Sequence, residues 1–160
     1  MPSTTRTPRS GAWSADHVQY ASAEGILALA QAGTPAVVLP GTSLYTRLPY
    51  ANGPRLRDSG AWIAIATDHN PGSCVIDNLP MIATLAALHC QLTVVEALAG
   101  VTVVAARALN LHHRKGALTP GFDADLVVYP AMTIDEWIAD FGRTRPRQVW
   151  VAGNNRKPHS

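Results

Sequence analysis

Cysteine is scarce in this 160-residue chain, which holds only Cys74 and Cys90. Two cysteines without a close-set partner exclude a disulfide framework and a zinc ribbon, and imply free thiols in a reducing compartment. Charge is equally thin. Only 15% of the residues are Asp, Glu, Lys or Arg, the formal net charge is +2, and no basic block interrupts the sequence. Neither nucleic acid nor a membrane surface is therefore expected as a partner. No apolar run approaches the ~20 residues of a membrane span. The opening Met1 to Ser10 lacks the apolar run of a secretory signal and reads as a disordered lead-in over residues 1–10. Its Arg, Ser and Thr content is that of a transit peptide, although Pro2 and Pro8 oppose the helix such a peptide forms. The cytoplasm is the expected compartment, and a small molecule or another protein surface the expected partner.

What the chain has is apolar content, 47% of its residues. That suffices for one core but not for a full (β/α)8 barrel, which takes roughly 200 to 400 residues. Ser22 is placed to cap a helix that runs to Ala32 and closes at Gly33. Pro35 to Leu39 reads as a parallel strand, apolar on both faces and stopped by Pro40-Gly41. A short helix around Pro54 to Ser59, ended by Gly60, leads to a strand from Trp62 to Thr67. Residues 14–67 thus read as strand end, helix, strand, helix, strand. Asn78 caps a helix from Leu79 to Cys90, Thr93 and Glu96 form a capping box for a second, and Thr102 caps a third that ends at Asn110. These helices are rich in Ala and Leu and read as packing elements, with Met81, Leu85 and Leu88 in the core. Beyond Lys115, Pro120-Gly121 marks a turn and Leu126 to Tyr129 a strand. A second capping box, Thr133 with Glu136, opens a helix to about Phe141, and Gln148 to Ala152 forms a last strand.

One stretch carries more than architecture. The apolar strand Trp62 to Thr67 runs straight into Asp68-His69-Asn70-Pro71-Gly72-Ser73, so a carboxylate is delivered at a strand's C-terminal end. In parallel α/β sheets that edge is where ligands bind. Asp68 is therefore the first candidate catalytic residue, the alternative being a loop cap or turn residue. Ser14-Ala15-Asp16-His17 places a histidine at the end of an earlier strand. His17 is a second candidate, or else a hydrogen-bonded histidine closing that strand.

Ser14 to His17, Leu39-Pro40-Gly41-Thr42, Ala66 to Ser73, Leu92 to Leu98 and Gly116 to Asp125 together resemble the amidohydrolase superfamily, and within it the imidazolonepropionase family. Thr67-Asp68-His69-Asn70-Pro71-Gly72-Ser73 is the specific part. Gly116-Ala-Leu-Thr-Pro-Gly-Phe-Asp-Ala-Asp125 is shared across the superfamily. The resemblance runs from about Gly11 to Gly153. It implies an α/β fold: a partial (β/α)8 barrel, strands six to eight with their helices, over residues 11–114. Residues 115–160 then return to the C-terminal strands of the small accessory β domain.

The implied activity is metal-dependent hydrolysis of the cyclic amide C–N bond of 4-imidazolone-5-propanoate to N-formimidoyl-L-glutamate, in histidine degradation. The implied cofactor is one divalent metal, zinc or iron. Its ligands in the family are a His-x-His pair, a further histidine and the strand-eight aspartate, which corresponds to Asp68. In that role a carboxylate ligates the metal with one oxygen and takes the water's proton with the other. His17 would polarise the ring carbonyl or stabilise its oxyanion. Asn70, Gly72 and Ser73 match family positions that contact the substrate's propionate and ring, offering an amide, an uncovered N–H and a hydroxyl. As residues alone they equally spell an ordinary turn. Arg47 corresponds to a family arginine after strand seven. His112 and His113 read as a solvated pair at a helix end. His89 lies in an apolar helix, His159 in the tail, and His69 is placed to perturb Asp68 if protonated.

The departure from the family is the missing histidine set, since one carboxylate does not hold zinc. Three barrel strands alone are also expected to leave two open edges and an uncovered apolar interior face. The chain is thus expected to be a truncated or split enzyme, completed by an N-terminal half or by self-association, or a decayed one that is inactive alone. Formimidoylglutamate deiminases and cytosine-deaminase-like enzymes are the alternatives within the superfamily. A non-catalytic remnant or interaction module is the alternative of a different class.

Overall fold

The computed structural model describes residues 11–156. The lead-in over residues 1–10 and His159 lie outside the described residues.

Three short strands, β1 (Ala15–Asp16), β2 (Ala36–Val38) and β3 (Ile63–Ile65), form a parallel sheet in that order. Ala36 pairs with Ala15 on one side and Ile63 on the other. The chain reaches β2 through α1 (Ala23–Ala32), and β3 through α2 (Pro40–Thr46) and α3 (Gly53–Asp58). Each crossover carries the chain back to the same starting edge, so all three strands end at the other edge. Helix α1 is bounded as its sequence predicts: the Ser22 hydroxyl accepts the Gly25 N–H at 3.1 Å, and Gly33 takes the left-handed cap at φ 63°.

The strands alternate between two buried faces. Ala36, Val38, Ile63 and Ile65 pack with Ile26, Leu29, Leu56 and the helices that follow β3. Val37, Leu39 and Ala64 pack with Val104. Those following helices are α4 (Leu79–His89), α5 (Val94–Gly100) and α6 (Val103–Ala108). The expectation of an uncovered apolar face is thus corrected. Val104 of α6, with Ala99 and Ala108 beside it, closes the second face, leaving Val37, Leu39 and Ala64 less than a tenth exposed. The sheet's two outer strands, β1 and β3, have no further strand partner among the described residues.

A second, antiparallel sheet follows: β4 (Leu126–Val128), β5 (Gln148–Val151) and β6 (Asn154–Arg156), with α7 (Ile134–Ala139) between the first two. Helix α7 packs on α4 and α5. There Thr84 Oγ1 donates to the Ile138 carbonyl at 2.6 Å, and Asn78 Nδ2 donates to Gly142 O at 2.7 Å.

Several local readings change. Pro40-Gly41 stops β2 but also opens α2, because proline at a helix start gives up only a donor that has no partner there. Thr102 stands at the start of α6 without capping it. Its hydroxyl donates to Leu98 O at 2.6 Å, prolonging α5 instead. The Thr93–Glu96 capping box is complete. In the Thr133–Glu136 pair, by contrast, the glutamate reaches the Met132 N–H rather than that of Thr133. Leu88, read as core, is 59% exposed, whereas Leu85 is buried. The hairpin to β6 escapes the sequence because its turn is Ala152-Gly153, both at positive φ, with no Asn or Asp to announce it. Cys74 and Cys90 are buried and unbridged, and burial pushes the Cys90 thiol up to about 11.

Candidate functional site

The common edge where β1 and β3 end is where the two leading candidates meet. His17 follows β1 and Asp68 follows β3, and His17 Nε2 lies 3.7 Å from Asp68 Oδ2. Both residues take left-handed backbone, at φ 57° and 52°, a conformation that costs a non-glycine residue about 1–2 kcal/mol. The same backbone region is taken by Arg47, Gln91, Asn110, Phe141 and Ala152, and at His17 and Asp68 it turns the chain sharply at the strand ends. His17 is half exposed and the Asp68 side chain is 27% exposed, so both open to solvent at this edge.

Asp68 is held from two sides. Its carbonyl accepts the Asn70 amide at 2.5 Å, and its carboxylate oxygen Oδ2 accepts the Thr42 hydroxyl at 2.6 Å. Thr42 escaped the reading of site residues although Leu39-Pro40-Gly41-Thr42 stood out as a motif. The usable signal was a hydroxyl residue placed directly behind a strand and a Pro-Gly pair.

The Asn70 to Ser73 loop closes on itself. Asn70 Oδ1 accepts the N–H groups of Gly72 at 2.9 Å and Ser73 at 2.7 Å, and Asn70 Nδ2 reaches Ser73 Oγ at 3.0 Å. The Gly72 N–H, read as uncovered, is therefore engaged. Asparagine stabilises its own turn more readily than it leaves the donors open. Arg47 ends α2 in left-handed backbone, exposed, and forms no ion pair among the described residues. The other described histidines form no ion pair with Asp68. His89 stacks on Tyr50 at 4.5 Å, His112 and His113 meet edge to face on the surface, and His69 is exposed.

Among the described residues no three His, Cys, Asp or Glu side chains gather as a metal centre would require. Catalytic zinc takes three protein ligands, and Asp68 with His17 supplies at most two. These residues do not compose a metal site by themselves.

The fold finds its counterpart in known proteins. A model described as "Amidohydrolase family" matches residues 50–156. The chain belongs to the amidohydrolase family. Within this family it is similar to imidazolonepropionases. It is 45% identical over 143 residues to the one from Geobacillus thermodenitrificans, covering 89% of this chain and 34% of that protein. It is 43% identical over 144 residues to the one from Paracidovorax citrulli, covering 88% and 34%. The chain thus spans about a third of the length of the curated relatives it matches. Among solved structures, the adenosine deaminase from Xanthomonas campestris with bound zinc superposes with a TM-score of 0.78 at 22% identity, over 88% of this chain and 36% of that one. That likeness shows the amidohydrolase fold and an α/β chain with a parallel sheet.

Proposed function

We propose that this chain carries the strand-six-to-eight part of an imidazolonepropionase-type site, opening the cyclic amide of 4-imidazolone-5-propanoate to N-formimidoyl-L-glutamate. The observation that carries the reading is the His17–Asp68 pair, 3.7 Å apart at the shared end of two parallel strands. The similarity to imidazolonepropionases along most of the chain supports it. In the reaction, water adds across the ring C–N bond: its oxygen goes to the carbonyl carbon and a proton to the departing nitrogen. In this reading Asp68 takes the water's proton and returns it to that nitrogen. His17 in turn donates to the oxyanion that forms on the carbonyl oxygen.

Ser73, Asn70 and Gly72 shape the loop against which the substrate's ring and propionate would lie, and Arg47, without an ion pair among the described residues, is the candidate cation at the end of α2. Residues 11–114 are read as barrel and residues 115–160 as accessory β domain. Asp68 is read as one ligand of a divalent metal, zinc or iron. The remaining ligands, and neighbours for the outer strands, would come from a complementing N-terminal half or a second copy. Purified alone, the chain is expected to hold far less than one equivalent of zinc after dialysis against a mild chelator, and stoichiometric retention would contradict this.

The test is reconstitution. The chain is mixed with the N-terminal part of an imidazolonepropionase, and imidazolone propionate consumption and formimidoylglutamate appearance are followed. Asp68→Asn keeps the shape but cannot accept a proton, so activity should fall by ~10²- to 10⁴-fold. Reconstituted activity indifferent to Asp68→Asn would defeat the reading.

A further inference from the structure

Thr42 directs its hydroxyl out of its own helix. A helical threonine's hydroxyl ordinarily turns back to the carbonyl four residues earlier, as Thr46 does to Thr42 O at 2.6 Å. Thr42 stands in the first turn of α2, so the residue four positions earlier is Val38 at the end of β2, outside the helix, where its carbonyl accepts the Ala66 N–H of the β3 segment. Thr42 Oγ1 instead crosses to the end of the neighbouring strand and donates to Asp68 Oδ2 at 2.6 Å. Thr42 is 4% exposed, so the donor is fixed by packing while the carboxylate it holds opens to the strand-end edge.

The approach is built into the two residues before it. Pro40 starts α2 directly at the end of β2. At Gly41 an added Cβ would sit 2.6 Å from Ile82 Cδ1 and 2.9 Å from Cys74 Sγ, with Thr67 O at 3.5 Å. Glycine at this position lets the first turn of α2 pack directly on Ile82 of α4 and on Cys74 in the loop after β3, with Thr67 O in ordinary van der Waals contact, and that packing sets Thr42 within reach of Asp68.

We propose that Thr42 is the positioning residue for Asp68. It engages Oδ2, the oxygen also nearest His17, and thereby presents Oδ1 as the oxygen that meets water. The proposal rests on the reading of Asp68 as proton acceptor and adds what selects its working oxygen. A single donor suffices because the Asp68 carbonyl is separately held by Asn70. The remaining freedom is side-chain rotation, which the Thr42 hydroxyl removes.

Two measurements test this with Thr42→Val, which keeps the shape without the donor, and Thr42→Ser, which keeps the donor. In the chain itself, NMR couplings across the Asp68 Cα–Cβ bond should report one rotamer in the parent and in Thr42→Ser, and averaging in Thr42→Val. Averaging in the parent, or a single rotamer in Thr42→Val, would overturn the proposal. In the reconstituted enzyme, Thr42→Val should lower kcat about tenfold or more with KM nearly unchanged, and Thr42→Ser should stay within about threefold. Thr42→Val added to Asp68→Asn should cost nothing further. Parental kcat in Thr42→Val, or equal loss in Thr42→Ser, would refute positioning. No effect of Asp68→Asn in the same assay would overturn the functional reading itself, leaving the couplings to report the tether separately.

Discussion

Every residue of β2 and β3 is buried, whereas no residue of β4, β5 or β6 is. The parallel layer is sandwiched between helices on both faces. The C-terminal sheet is instead tied at its margins by charge. Arg114 and Lys115 pair with Asp123, Lys115 also pairs with Asp125, and Asp125 Oδ1 accepts the Ala152 N–H at 2.7 Å. The two regions meet through α7 on α4, where Ile138 is buried and Thr84 donates to its carbonyl. The candidate site belongs wholly to the first region. A strand-end constellation needs rigid strands beneath it, and rigidity comes from close-packed apolar contact rather than from solvent-screened ion pairs.

The sharpest way to break the comparison is to truncate one side chain in each region. Ile82, fully buried on α4, should cost ~2–5 kcal/mol when changed to Ala. Val127, half exposed on β4, should cost about 0.5 kcal/mol or less. Urea denaturation of the two variants decides, and equal losses would mean that the C-terminal sheet hides more than its exposure indicates.

The seam between the regions comes next. Thr84→Val removes the hydroxyl's bond to the Ile138 carbonyl, which keeps the Phe141 N–H, and is expected to cost ~0.5–1.5 kcal/mol. Hydrogen exchange should then quicken in α7 before it quickens in β2. Uniform acceleration would show that the two regions unfold as one unit.

Acid separates the regions through their carboxylates. Hydrogen bonds from Arg114 and then Lys115 hold Asp123 below the ordinary carboxylate value. Lys115 does the same for Asp125, and Thr144 for Asp140. In the parallel layer Glu96 is brought down to about 2 by its Arg57 partner. A depressed carboxylate contributes its stability above the unfolded-state value, ~4, and loses it as pH falls through the lower folded value. Between about pH 4 and pH 2 the signals of residues 115–156 should collapse first in an NMR titration, because the parallel layer retains its apolar core. Simultaneous collapse would contradict the division.

The smallest effect lies within the parallel layer. Thr93 caps α5 and should cost ~1 kcal/mol as Ala, while Thr102, which does not cap α6, should cost about half of that or less. Thermal melts of the two variants measure the difference, and a larger loss at Thr102 would mean its bond to Leu98 carries the α5–α6 corner.

Much of the first region was legible because local chemistry and tertiary context agree there. Ser22, Asn78 and Thr93 cap the helices their spacing announces, and Ala36 to Val38 is buried on both faces as its unbroken apolar run requires. Legibility failed where a residue's partner lies far along the chain. Leu88 follows the same helical pattern as Leu85, yet it is exposed because nothing packs over that face among the described residues. In the site loop, Asn70 Oδ1 accepts the Gly72 and Ser73 N–H groups, a local closure that the residue types alone do not distinguish from an open turn.

Sequence by itself determined the succession of strands and helices, the delivery of His17 and Asp68 to strand ends, and the family. Each of these depends on propensities and motifs spanning a few residues. Tertiary structure alone decided that α6 closes the second face of the sheet, that His17 and Asp68 stand 3.7 Å apart, and that Thr42 holds the aspartate. Those outcomes join residues 26 or more positions apart, as Thr42 and Asp68 are. Such pairings are set by how whole elements pack, and no local preference encodes that.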